Sequence, residues 1–217
     1  MNKIIIDVKK FIMFQGSPES KLWDLGNKVL YKMCEDYPKH ENIDKIIAKI
    51  WLIGRTYAAS IERRVHAQES TDKFYIKVAK KMKDSGIDKQ IQKIPSQNVL
   101  DEKSIEIISG VHCFLVKIFR ELTQHNKVSL ASKYLHFHKP IVPLYDSRAN
   151  KSINRIIKEN NRHEEIFDKL VDDIDEWDRL YVRFVIKIYN LQRFLFEETT
   201  NIYSVRDIDK YLLYLHE

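Results

Sequence analysis

Apolar residues recur along this chain mostly three and four positions apart, the spacing of helices that each bury one face. The clearest stripe is Ile43, Ile47, Ile50, Gly54, Ala58, Ile61 and Val65, which predicts a helix from Asn42 to about His66. Gly54 and Ala58 sit four apart on that stripe, so another helix is expected to approach closely there. Upstream, Gly16-Ser17-Pro18-Glu19 places a proline in a first helical turn and predicts a helix to about Glu35. Ser70-Thr71-Asp72 opens a further helix that ends before Gly86. A polar stretch broken by Pro95-Ser96-Gln97-Asn98 follows and reads as a hinge. Asp101 then starts a helix through Ile105, Ile108, Val111, Cys113, Leu115 and Ile118 to about Thr123. Others are expected around Lys133, from Asp146 to about Asn160, from Glu176 to Glu198 and from Val205 to His216. The pattern predicts an all-α protein of about nine helices. Its 217 residues suit a single domain over 1–217, or two packed lobes at 1–95 and 101–217.

Composition agrees with that picture. Five glycines and five prolines in 217 residues are too few for a turn-rich β fold. With 44% hydrophobic and 31% charged residues the chain has enough apolar side chains for a packed core. Cys34 and Cys113 are the only cysteines, with no paired spacing, which argues for a reducing compartment without a disulfide framework or zinc cluster. The Ile4-Ile5-Ile6 run is cut by Asp7, and no apolar run approaches the ~20 residues of a membrane span. A cytoplasmic monomer with no cofactor, no metal and no membrane partner is expected. The formal charge of +6 and pI of about 9.1 make nucleic acid a reasonable partner. An ordinary lysine-rich protein has the same totals, so charge alone leaves both open.

The densest candidate chemistry lies in Ser129-Leu-Ala-Ser-Lys133-Tyr-Leu-His-Phe-His-Lys-Pro140-Ile-Val-Pro143-Leu-Tyr-Asp146-Ser-Arg148-Ala149. It reads as a helix carrying an amine, a turn held by two prolines, and an aspartate opening the next helix. A lysine amine attacks a sugar C1′ only when deprotonated, which burial or cationic neighbours arrange. A nearby carboxylate stabilises the positive charge that builds as a glycosidic bond breaks. Lys133 and Asp146 supply those groups. Tyr134, His136, Phe137 and Tyr145, with Tyr57 from upstream, supply stacking faces for an everted base. The plainer alternatives are a solvated Lys133 beside the face made by Leu130, Tyr134 and Phe137, and an Asp146 that only caps its helix.

Ala131-Ser132-Lys133-Tyr134 and Val142-Pro143-Leu144-Tyr145-Asp146-Ser147-Arg148-Ala149 resemble two elements of the helix-hairpin-helix (HhH-GPD) DNA glycosylases. In members with lyase activity a lysine follows the hairpin turn, and a Pro-x-Asp element opens a later helix. The similarity spans about residues 126–150 and is closest to the archaeal 8-oxoguanine glycosylase branch. The resemblance implies a glycosylase-like helical fold, Lys133 as Schiff-base nucleophile, Asp146 as catalytic carboxylate and DNA as partner. It implies an oxidised purine as the target; a modified cytosine or other phage base suits a defence enzyme. The chain departs from the family in two ways. His125-Asn126-Lys127-Val128-Ser129 lacks the hairpin glycines that grip a DNA phosphate, and the lysine-to-aspartate gap is shorter.

Lys127, Ser129, Arg148 and Arg55 are further candidates for the DNA backbone, as are Arg179, Arg183 and Lys187 at four-residue spacing. Arg55, Ala59 and Arg63 would share one helical ridge. An internal pairing of Glu62 with an arginine, and Trp51 in the core, is the alternative for that block. Asp172, Asp173, Asp175, Glu176 and Asp178 are expected to pair with the Arg179 stripe and favour the helix start. His136 and His138 would face different sides of their helix, against a shared metal. Two rival functions remain open: a helical ribonuclease using Arg120 and His125 at Arg-x4-His spacing, and a non-catalytic helical module that binds nucleic acid or protein.

Overall fold

The computed structural model describes residues 6–63, 70–157, 168–170 and 175–216. Among them every regular element is helical: ten α-helices and one 3-10 turn. They are α1 (Val8–Gln15), α2 (Pro18–Asp36), α3 (Ile43–Thr56), α4 (Thr71–Asp84), α5 (Ile87–Lys93), α6 (Glu102–Thr123), α7 (Val128–His138) and α8 (Ser147–Ile156), then the 3-10 turn Glu176–Asp178, α9 (Arg179–Thr199) and α10 (Val205–Tyr214). No helix among the described residues is long and apolar enough to cross a membrane.

The starts follow from local chemistry. Ser17 accepts the Ser20 amide with Pro18 in the first turn of α2, and Asp101 forms a reciprocal capping box with Ser104 at α6. Ser204 and Asp207 do the same at α10. Buried side chains from all ten helices form one hydrophobic cluster, with α1 packed on both α2 and α10. At its centre lies α7, which packs on α2, α3 and α6 and buries every residue from Leu130 to Phe137.

Three expectations need correction. Helix α3 stops at Thr56, ten residues short of His66; Val65 and His66 lie outside the described residues. What approaches Gly54 is not a second helix but the chain folding back: a Cβ there would stand 3.0 Å from Ser60 Cα. The polar stretch before Pro95 contains a helix, α5, introduced by Gly86 in the left-handed region. The segment after Pro95 is fastened rather than loose, since Gln192 of α9 bonds Asn98 O, the Leu100 amide and Tyr203 O. The predicted end of α8 near Asn160 also falls outside the described residues.

The fold-back after α3 forces Ala58 to a φ of 50°, where a Cβ is strained. Ala58→Gly is therefore expected to raise stability by up to about 1 kcal/mol, or roughly 2–4 °C in Tm for a chain this size. Thermal unfolding followed by circular dichroism checks it; a lower Tm shows the turn tolerates alanine without strain.

A second tie fixes α6, the 3-10 turn and α7 together. His112 and Asp178 are both fully buried, with Nδ1 2.8 Å from Asp178 Oδ2 and Nε2 3.1 Å from Val128 O. The imidazole stacks on Tyr181 at 3.6 Å between ring centroids.

Candidate active site

The buried helix α7 delivers Lys133 to the floor of a cleft of about 770 Å³. One wall is the turn after α3, with Tyr57, Ala58, Ser60 and Arg63; the other carries Tyr145, Asp146 and Arg148 at the start of α8. Lys133 is 1% exposed, yet its Nζ has polar company: it donates to Ser129 Oγ at 2.7 Å and Asp146 Oδ2 at 3.3 Å. Asp146 is at once the N-cap of α8, its Oδ1 accepting the Arg148 amide at 2.9 Å and Arg148 Nε at 3.3 Å. The catalytic and capping readings thus coincide geometrically: the cap holds the carboxylate where the amine reaches it. Ser129 and Ser132 set the spacing between the elements, bonding Tyr145 O and the Tyr145 amide respectively.

Electrostatics favour an amine that gives up its proton easily. Burial pushes Lys133 below the ordinary lysine range, while Asp146 and then Asp209 pull it partly back. Burial acts to raise Asp146, but Lys133 and the Arg148 amide outweigh it and hold the carboxyl below its usual range. Tyr57 stands over the amine with its ring centroid 5.5 Å from Nζ and its hydroxyl donating to Asn27 Oδ1 at 2.9 Å. That bond and the burial around it fix the ring beside the Lys133 amine. Among the described residues no three His, Cys, Asp or Glu side chains converge as a metal site would require.

The structure brings together Lys133, Asp146, Tyr57, Tyr145, Lys127, Ser129 and Arg148 on this one cleft. It does not bring the other candidates there. Tyr134 is fully buried with its hydroxyl against His40 Nε2 at 2.7 Å. His136 is fully buried between Tyr31 and Val142 O, and Phe137 faces a different cavity. A helix surrounded by neighbours points half of its side chains away from any one cleft, so three adjacent aromatics cannot share it. Arg55 pairs with Glu62 at 2.6 Å, and the helix end at Thr56 separates it from Arg63. Trp51, expected in the core, is 45% exposed with the Arg55 guanidinium 5.8 Å from its ring.

Arg179, Arg183 and Lys187 lie on α9 and do not line the cleft; Lys187 bonds Asn154 Oδ1. Of the acidic run, Asp175 pairs with Lys117 at 3.0 Å and Asp178 with His112, while Asp172 and Asp173 lie outside the described residues. His125 lines the cleft but Arg120 does not.

Sequence reading missed the support beneath the amine. Asp209 of α10 is buried with Arg206 Nη1 at 2.6 Å, and Arg206 Nε lies 3.5 Å from Asp24. Burial raises the Asp209 carboxyl, against the pull of Arg206 and Lys133. The i, i+3 spacing of Arg206 and Asp209 was visible, but only the packing of α10 on α8 turns it inward.

Fold and site together define an all-helical protein with a buried lysine facing a helix-capping carboxylate across an open cleft. The chain belongs to the HI_0787_N family, whose model, described as an N-terminal domain, matches residues 7–142. That match runs from α1 through α7, includes Lys133, and ends before Asp146. No curated protein and no solved structure matches the chain.

Proposed function

We propose that this protein is a DNA glycosylase that excises a damaged or modified base through attack of Lys133 on the sugar C1′. The observation that carries the reading is the setting of the amine: nearly inaccessible, lowered in basicity, and 3.3 Å from a carboxylate at the floor of a cleft. The base rests against Tyr57 and Tyr145, and Lys127, Ser129 and Arg148 hold the sugar-phosphate backbone. Neutral Nζ bonds to C1′ as the C1′–N bond breaks, and the electron pair leaves with the base, which takes up a proton. Asp146 balances the positive charge on the sugar and accepts the proton that the attached amine sheds. Opening of the C1′–O4′ bond then protonates O4′ and leaves a C1′=Nζ iminium, the species from which β-elimination cuts the strand.

In this reading α6, the turn at Gln124–Lys127 and α7 form the helix-hairpin-helix element of a glycosylase-like fold. Gln124, with φ 57°, takes the left-handed conformation that the family gives to glycine. The His125 amide is engaged by Thr123 Oγ1 at 3.1 Å, so side chains rather than hairpin amides carry the phosphate contacts.

The test is base release from duplex oligonucleotides carrying oxidised purines and modified cytosines, with borohydride trapping alongside. Free base plus a trapped adduct in the wild type supports the reading. Intact DNA across the panel, with RNA cut in a His125-dependent manner, points to a nuclease instead; binding without turnover points to a recognition module.

The pH profile gives a second check. The rate is expected to rise with pH as Lys133 loses its proton. Asp146 raises the lysine's pKa, so Asp146→Asn should move that rise to lower pH while lowering the maximal rate by about 10²–10⁴-fold. A rise that stays put, or moves to higher pH, means the carboxylate does not set the charge of the amine.

A further inference from the structure

A second cavity of about 760 Å³ lies at the C-terminal end of α7, walled by α2 and α5. The rings of Tyr31 and Phe137 stand in its wall with centroids 4.8 Å apart, and Ile91 and Pro140 extend the apolar surface. Tyr31 is fixed in place. His136 Nδ1 faces Val142 O, which only accepts, so the imidazole proton sits there and Nε2 accepts from the Tyr31 hydroxyl.

Two polar groups of this wall have equally determined roles. The wholly buried Lys49 donates to Tyr37 O at 2.9 Å, Lys39 O at 3.4 Å and His138 Nε2 at 3.4 Å. An ammonium cannot accept, so His138 takes that bond at Nε2 and carries its proton on Nδ1. Burial holds His138 well below its usual range, which keeps the ring neutral and leaves Nδ1–H as its one donor. Asp88, 32% exposed, receives His40 Nδ1 on Oδ1 at 2.5 Å and the His40 amide on Oδ2 at 3.0 Å. Each of its oxygens keeps a further acceptor position. Burial lowers His40 to about 4, so near neutral pH it does not cancel the carboxylate charge. His40, bonded to Asp88, also lies beside His138, with ring centroids 5.3 Å apart.

An apolar wall of two rings inclined at 57°, with one donor and one carboxylate acceptor beside it, selects among heterocycles. Guanine presents two adjacent donors, N1–H and the 2-amino group, beside the acceptor O6. Adenine and cytosine present a single donor group on that edge, and uracil flanks its one N–H with two carbonyls that a carboxylate repels. We propose that this cavity binds a guanine-type base or nucleoside, its donor edge on Asp88, its O6 on His138 and its ring against Tyr31 and Phe137. The lining charges of Glu35, Asp88, Lys39 and Lys139 cancel, which suits a neutral nucleoside better than a polyanion. The site does not use Lys133 and stands or falls independently of the glycosylase reading.

The experiment is titration calorimetry of the full chain with guanosine, adenosine, cytidine and uridine, on the wild type and on Asp88→Asn, Gln92→Trp and Lys133→Gln. Guanosine is expected to bind with a Kd on the order of 0.1 mM and at least tenfold tighter than the other three. Asp88→Asn should weaken it at least about tenfold. Gln92→Trp, an exposed position that only fills the cavity, should do the same without disturbing the His40 pair, and Lys133→Gln should leave it unchanged. No guanosine heat, equal affinity for the four nucleosides, or binding lost in Lys133→Gln but kept in Gln92→Trp overturns the proposal.

Discussion

Replacing Lys133 by glutamine is expected to abolish borohydride trapping and to cut base release by about a thousandfold or more, the scale on which loss of a covalent nucleophile is felt. Glutamine is one bond shorter but keeps a donor for Ser129 and Asp146, so with the fold intact the loss belongs to the amine. The circular dichroism spectrum of the variant should match the wild type. The comparison is informative because the amine is buried on a helix packed from several sides. A charged lysine there costs stability except as Ser129 and Asp146 offset it by hydrogen bonding and pairing. Base release that persists undiminished in Lys133→Gln would leave that lysine as a structural partner of Asp146, with water as the attacking group.

The largest effect on stability is expected from Asp178→Ala. The carboxylate is fully buried against His112, whose other ring nitrogen meets a carbonyl, so both nitrogens are satisfied only as donors. Truncating Asp178 strands one of those donors in the interior. Loss of one partner of such a pair costs about 3–5 kcal/mol, or roughly 6–20 °C in Tm for a chain of this length. Asp178→Asn, which retains an acceptor, should lose less than half of that. A Tm within about 2 °C of wild type for Asp178→Ala, measured by thermal unfolding, shows that the pair does not brace α6 against the 3-10 turn.

Amphipathic stripes made α2, α4, α6, α9 and α10 legible, because each keeps a buried face and an exposed face over several turns. The eight residues of α1 and seven of α5 offer about two turns each, too few for a period to stand out. The end of α3 was hidden for a subtler reason. Ile61 is fully buried although it lies beyond the helix, so the apolar spacing continues through a fold-back that spacing alone cannot reveal. At the site, the Lys133–Asp146 pairing was legible because both ends belong to one short segment punctuated by Pro140 and Pro143. The burial of Lys133 was not: its own helix places it beside the apolar face, and packing by α2, α3 and α6 from other sides encloses it. Asn27, Arg206 and Asp209 were illegible for the same reason, since each reaches the site from a distant stretch of chain.

The two sides of the cleft are built to different standards of permanence. The side bearing the amine lies in the centre of the molecule, whereas the opposite side is a short loop of small residues, Ala58, Ala59 and Ser60, tied down by Tyr57, the buried Ile61, Arg63 and the close pass over Gly54. The shape of the opening and the geometry of the Lys133–Asp146 pair are therefore separable. Substitutions at these three loop positions can widen or narrow the mouth of the cleft while Lys133 and Asp146 keep their geometry.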